Sequence, residues 1–194
     1  TNAGQRPALV AGVGGVICLS TDGVDDGMLT ASVDLTGTDE VTVFSADRKT
    51  SDAAIGTVYE FGPNPETTNG SFGLSAPHAA ASASYGVRSR GTVLSSASAA
   101  GVAAPHTAIT TQVADVAGDA NTLRVNGAAF ASSATDQGSG SFGNQPLYVF
   151  RRGGSSLPLA GECYTLPVVV KRLCTPAEID AVEAVIDQYL GVLP

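Results

Sequence analysis

Four groups of side chains in this sequence have the types and spacing that chemistry requires. Tyr85, Arg88 and Arg90 fall within six residues of one another. An aromatic ring can carry the apolar face of a sugar while planar guanidinium groups hydrogen-bond its hydroxyls. On a strand Arg88 and Arg90 share a face, which would equally serve as a solvated surface laced with ion pairs. Asp22, Asp25 and Asp26 form the densest acid cluster and are the candidate ligands for calcium, a cation that takes carboxylate and carbonyl oxygens. Their spacing is not that of an EF-hand, and aspartates in such turns commonly cap backbone amides. Asp119 and Asn121 make a similar turn. Arg151-Arg152 is the other concentrated positive site; neighbouring strand residues point to opposite faces, so at most one of the two joins any given patch.

Catalytic patterns are thin. Glycoside hydrolysis needs two carboxylates facing one another. The nearest pair, Asp39-Glu40, opens a strand, and no Glu-x-Asp-x-x-Glu run occurs. His78 and His106 each follow a proline and lack a Gly-x-Ser-x-Gly elbow, so they read as exposed loop histidines rather than general bases. Cys18, Cys163 and Cys174 show no CxxC spacing. They fit buried free thiols in a protein folded in a reducing cytosol, with a Cys163–Cys174 bridge or a redox role as the alternative.

The 194 residues suit one domain, expected to span 1–194. Hydrophobic residues make up 43%, but 29 of them are Ala, and Val (21) outnumbers Leu (14), which favours sheet over helix. Eighteen acids against ten bases give a net charge of −8, a poor match to nucleic acid. No apolar run is long enough for a membrane span, and the first twenty residues hold no basic stretch followed by an apolar core.

Short alternating runs bounded by Gly, Pro, Asn and Asp recur every 10–15 residues, the pattern of an antiparallel sandwich or jelly roll. Residues 13–19 and 28–33 read as strand, tight turn, strand. Further strands are expected over 41–46, 57–61, 71–75, 84–90, 108–113, 147–150 and 161–171, the last with Pro167 marking an edge or bulge. Leu123–Phe130 is a hairpin turning on Asn126-Gly127. The Ala/Ser-rich stretch from 76 to 134 reads as small-residue strands and loops, poorly able to build a private core and suited to close packing against a neighbour. A single helix closes the chain over 175–190. Thr175, Pro176 and Glu178 form its capping box, Gly191 stops it, and Ile179, Val182, Ile186 and Tyr189 make an apolar stripe. It is expected to cover an edge or a loop of the sandwich.

Taken together, several segments resemble laminin-G-like, concanavalin A-like domains, especially those of tailed-phage and prophage structural proteins. They are Asp22–Asp26, Gly37–Phe44, Leu123–Gly127, Asn144–Gly154 and Thr175–Ile179, and the resemblance extends from about Gly15 to Gly191. It implies an all-β, two-sheet antiparallel jelly roll with one C-terminal helix, whose concave face and rim loops serve as ligand surface. It further implies a non-enzymatic virion protein of a tail fibre, spike or surface appendage, made in the host cytoplasm. The partners implied are other virion proteins, further copies of itself and a host-surface carbohydrate, without membrane insertion. A decoration or assembly protein with no glycan ligand is the first alternative and a glycan hydrolase the second. In such phage proteins further sequence often precedes the domain; either that lead-in is reduced here or the chain is the C-terminal part of a longer protein.

Overall fold

The computed structural model describes residues 3–192. In chain order the strands are β1 (Ala8–Ala11), β2 (Ile17–Asp22), β3 (Met28–Asp34), β4 (Glu40–Lys49), β5 (Thr57–Phe61), β6 (Ser71–Ser75) and β7 (Ser84–Arg90). They continue as β8 (Leu94–Ala100), β9 (His106–Asp115), β10 (Ala120–Val125), β11 (Ala128–Ser133), β12 (Asn144–Val149) and β13 (Ala160–Val170), before helix α1 (Pro176–Leu190). They form two antiparallel sheets, one of seven strands in the order β1-β2-β13-β4-β9-β10-β11 and one of six in the order β3-β12-β5-β6-β7-β8. This is the all-β jelly-roll sandwich with a C-terminal helix that the sequence pattern predicts.

Alternation along each strand supplies the core. Val41 and Val43 of β4 face Tyr59 and Phe61 of β5, Phe72 and Leu74 of β6, and Tyr85 and Val87 of β7 in one buried cluster. At one end aromatic rings close it: Phe61 stacks on Phe72 at 5.0 Å and Phe142 meets Phe72 edge-on at 5.3 Å. The other end is polar. Asp47 and Lys49 of β4 are fully buried, and the Lys49 ammonium lies 2.6 Å from Asp52 Oδ1 and 5.0 Å from the Tyr85 ring centroid. Burial pushes the Asp47 carboxyl up to about 7, against the opposing pull of the Tyr85 hydroxyl and Lys49.

The Asn126-Gly127 hairpin forms as expected, with both residues at positive φ, and a bulge between Leu123 and Arg124 adds twist. Pro167 sits at a register shift inside β13, an interior strand, so it marks a bulge and not an edge. Four expectations need correction. The 13–19 and 28–33 segments do not pair: β2 belongs to one sheet and β3 to the other, so the Asp22–Gly27 turn crosses the sandwich. The 76–134 stretch does build core, through Tyr85, Val87, Ala97, Ala108, Val116 and Leu123; the small-residue strand expected in its Ser/Ala-rich part is β8. Helix α1 covers no edge. It packs on the outer face of the seven-stranded sheet over its central strands β4 and β9. Finally, only Ile179 of the expected stripe is buried. Its companion is Glu183, at 1% exposure, while Val182 and Tyr189 face solvent.

The reason lies in the sheet beneath. Thr111 donates its hydroxyl to Glu183 Oε1 at 2.7 Å, and Arg124 reaches the same carboxylate through Nε at 3.1 Å and Nη2 at 2.9 Å. A polar patch on β9 and β10 selects a polar helix residue. The caps are as read: Thr175 and Glu178 bond each other's backbone amides, and Gly191 takes the left-handed conformation with φ 61°.

Candidate functional site

Because Tyr59, Phe72, Leu74, Tyr85 and Val87 point inward, alternation turns Glu60, Gly73, Ser75, Gly86, Arg88 and Arg90 to the outer face of the six-stranded sheet. The strand register sets them in a row: Tyr148 opposite Glu60, Glu60 opposite Gly73, Gly73 opposite Arg88, Arg88 opposite Ser96. The two glycines leave hollows in this face. A Cβ on Gly73 would stand 2.9 Å from Glu60 Cγ, and one on Gly86 would strike the His78 ring.

Two loops roof the row and bring further charge. Arg152, in the turn after β12, places Nε 2.8 Å from Glu60 Oε1 and Nη1 3.2 Å from Glu66 Oε1. Arg88 places Nη2 3.4 Å from the same Glu66 oxygen and donates through Nη1 to Ser75 Oγ at 3.0 Å. Arg90 holds the Glu66 loop by its backbone and a neighbour, donating to Glu66 O at 2.8 Å and Asn69 Oδ1 at 3.0 Å. The result is a chain of alternating charge: Glu60, Arg152, Glu66, Arg88.

Burial tunes these groups. Glu60 is 1% exposed, and the loss of water pushes its carboxyl up to about 7 even though Arg152 pulls the other way. Arg88 is lowered from the usual guanidinium value by burial and by the Arg152 charge. His78, lying over Gly86, is driven down to about 4 by burial and then by Arg88, so it is neutral at pH 7. Three buried atoms at this site, Glu60 Oε2, Arg152 Nη2 and His78 Nδ1, have no hydrogen-bond partner. Buried polar atoms are ordinarily satisfied, and these three leave hydrogen-bonding capacity at the site that the described chain does not use.

The structure separates the residues that spacing alone grouped. Arg88 and Arg90 do share one face, and both border the site. Tyr85 does not: it is fully buried in the core, with its hydroxyl donated to Asp47 Oδ2 at 3.3 Å. Residues 85 and 88 differ by an odd number, so one strand sends them to opposite faces. The aromatic that belongs to the row is Tyr148, whose alternation with Leu147 and Val149 shows in the sequence. Glu60 and Glu66 were missed because nothing local marks them; Arg152 was marked only as one of an adjacent arginine pair, and its partner Glu60 lies 92 positions away. Of the Arg151-Arg152 pair, Arg152 joins the patch and Arg151 instead donates to Asp25 O at 2.6 Å.

The aspartate turn behaves as a cap. Asp22 Oδ1 accepts the Val24 amide at 2.8 Å and Asp26 Oδ2 accepts the Asp22 amide at 3.1 Å. Among the described residues no group of three His, Cys, Asp or Glu side chains is placed to hold a metal ion. Asp119 likewise caps Gln137, at 2.8 Å, and Asn121 is an interior residue bonded to Gln112. The histidines are not exposed loop residues as expected; both are half-buried, His106 as the first residue of β9. The three cysteines are free, with Cys18 and Cys163 buried, and burial pushes Cys163 up to about 12.

No protein-family model and no curated protein sequence matches the chain. Solved structures do. The carbohydrate-binding module CBM40 of the Ruminococcus gnavus IT-sialidase, bound to α2,3-sialyllactose, superposes with a TM-score of 0.58 at 16% identity, covering 80% of this chain and 98% of the module. A heptameric SAP-like pentraxin from Limulus polyphemus gives 0.63 at 12% identity, over 84% of this chain and 78% of its own. The leech intramolecular trans-sialidase gives 0.56 at 14%, over 86% of this chain but 28% of that enzyme. At these identities the likeness is one of architecture: the chain has the two-sheet jelly-roll fold seen in CBM40 and the pentraxin.

Proposed function

We propose that the protein is a non-catalytic, lectin-like domain that binds carbohydrate on the outer face of its six-stranded sheet. The observation that carries this reading is the row Tyr148, Glu60, Arg88 and Ser96 with Arg152 above it, where buried donors and acceptors stand unpartnered. Sugars are recognised by such a mix of planar hydrogen-bonding groups and an aromatic ring. The fold it shares with a module bound to sialyllactose supports the same class of ligand. The absence of catalysis is supported by the two acids of the site, Glu60 and Glu66, both hydrogen-bonded to the one Arg152 guanidinium. The resemblance of the sequence segments to phage structural proteins supports a place on a virion, in a tail fibre, spike or other appendage, where many copies raise a weak affinity.

The test is a glycan array with the protein displayed multivalently, beside an Arg88→Ala variant. Binding to a defined glycan set that Arg88→Ala weakens is the expected result. A blank array at high valency would overturn it, and loss of polysaccharide viscosity on incubation would turn the reading towards an enzyme.

One observation favours a second reading, assembly or decoration without a glycan. Leu166 and Val168 on β13 and Val185 and Tyr189 on α1 are large apolar side chains at 48–71% exposure. If imaging of an intact particle finds that face covered by a neighbour and the charged row covered too, assembly replaces binding.

A further inference from the structure

We infer that Glu66 is an internal stand-in for the ligand: its carboxylate lies where the carboxylate of an acidic sugar enters, and binding proceeds by exchange of one for the other. The inference rests on the carbohydrate-binding reading above and adds to it a ligand class and a built-in competitor.

Glu66 Oε1 bridges two guanidinium groups, at 3.2 Å from Arg152 and 3.4 Å from Arg88. The side chains of both arginines are 11% exposed while that of Glu66 is 44% exposed. Two cations so deeply placed require a nearby anion, and the anion they hold is the one able to leave. Glu60 cannot substitute for it, being pinned at 1% exposure to the Arg152 Nε edge.

The loop is built for that departure. Arg90 grips it through the Glu66 carbonyl and Asn69 Oδ1, and Asn64 Oδ1 accepts the Glu66 amide at 2.9 Å. None of these bonds uses the Glu66 carboxylate, so the side chain can swing out while the backbone stays. An incoming carboxylate would inherit Arg88 Nη2 and Arg152 Nη1, the two groups that Glu66 Oε1 now bridges. A neutral sugar that displaced Glu66 would leave Arg88 without its counter-charge and Arg152 with Glu60 alone, which selects against it.

The experiment is calorimetric titration of wild type, Glu66→Gln and Asp180→Asn with 3′-sialyllactose and with lactose. Asp180 is exposed on α1 and controls for the loss of one negative charge remote from the site. Exchange predicts that wild type prefers sialyllactose, that Glu66→Gln tightens it by about two- to fivefold, the worth of one partly exposed ion pair, and that Asp180→Asn leaves it unchanged. Wild-type binding with no gain in Glu66→Gln, an equal gain in Asp180→Asn, or equal affinity for lactose would overturn the exchange and leave carbohydrate binding standing. Silence of all three proteins towards both sugars and across the glycan array would remove the two together.

Discussion

Arg152 and Glu60, 92 residues apart in the chain, meet at 2.8 Å on the outer face of the six-stranded sheet with Glu60 almost fully enclosed. Here a charged pair takes the place that an apolar contact would fill in an ordinary sheet covering. It is what turns a loop and a strand into one site: the guanidinium that neutralises Glu60 also reaches Glu66, and Glu66 reaches Arg88.

Breaking that pair from the arginine side should be costly in a pH-dependent way. Arg152→Ala leaves Glu60 enclosed without a counter-charge, and the carboxyl escapes by taking up a proton, which limits the charge penalty at pH 8 to about 1–2 kcal/mol. Glu60 already titrates near 7, so without Arg152 it will be neutral at pH 5 and the penalty should shrink there. Urea unfolding of wild type and Arg152→Ala at pH 8 and pH 5 measures both; an equal loss at the two pH values would show that the cost is packing rather than charge.

A second titration lies in the interior. Asp47 sits near 7 in the folded protein and near 3.9 when unfolded. Between those values the folded state holds the extra proton, so this group's contribution is fully present below the unfolded value and is lost as pH rises through about 7. His78, held at about 4, works oppositely over roughly pH 4–6.5, so the informative quantity is a difference. Asp47→Asn keeps an acceptor for the Tyr85 hydroxyl and removes the titration. Its urea midpoint should gain on that of wild type as pH is raised from 5 to 7.5; parallel curves would refute the buried-acid assignment.

How much of this could be read in advance divides along physical lines. Strands β5, β6 and β7 lie where Gly and Pro bound short alternating runs, and their limits coincide with those read from the sequence. Helix α1 follows from its capping box, a signal contained within four residues. Strand β8 falls in the stretch read as small-residue strands and loops, but its bounds were not legible because Leu94–Ala100 is mostly Ser and Ala, with no polarity contrast to betray alternation. The arginine face at 88 and 90 was legible from strand periodicity alone, and that periodicity also excludes Tyr85 from it. The acids opposite those arginines were not, since ion pairs spanning 22 residues (Glu66 to Arg88) and 92 (Glu60 to Arg152) leave no local pattern. The helix stripe failed because periodicity reports where apolar residues fall, not what the surface beneath offers; that surface is Thr111 and Arg124.

That surface supports its own test. Glu183 accepts from Thr111 and twice from Arg124 at 1% exposure, so Glu183→Ala strands the Thr111 hydroxyl beneath the helix and leaves Arg124 with Asp180 and the Gly127 carbonyl. A loss of about 2–4 kcal/mol is expected, the range for removing one partner of a buried charged network. Thr175→Ala, which removes only the cap, should cost about 1 kcal/mol. If the two variants unfold at the same denaturant concentration, the helix is held by its apolar contacts and not by the Glu183 anchor.

The hollow at Gly86 is where the sheet admits His78, whose ring stands where a Cβ would be. The ring's low pKa of about 4 comes first from that enclosure and then from the charge of Arg88 beside it. Gly86→Ala should therefore expel the ring: Gly86 is not at a positive φ, so the added methyl costs the backbone little conformationally, and the side chain of a loop residue is the part free to move. Once in water, away from Arg88, the imidazole should titrate closer to its ordinary 6.5. Proton NMR titration of the two histidines follows this directly, with His106 as the internal reference because it lies at the start of β9, beside Lys49 and Asp52. An unshifted His78 in a folded Gly86→Ala protein would mean that the methyl is accommodated by Ser98 on β8 and that the ring is not seated by the glycine. A shifted one, together with weaker glycan binding, would place the His78 edge of the row within the ligand's footprint.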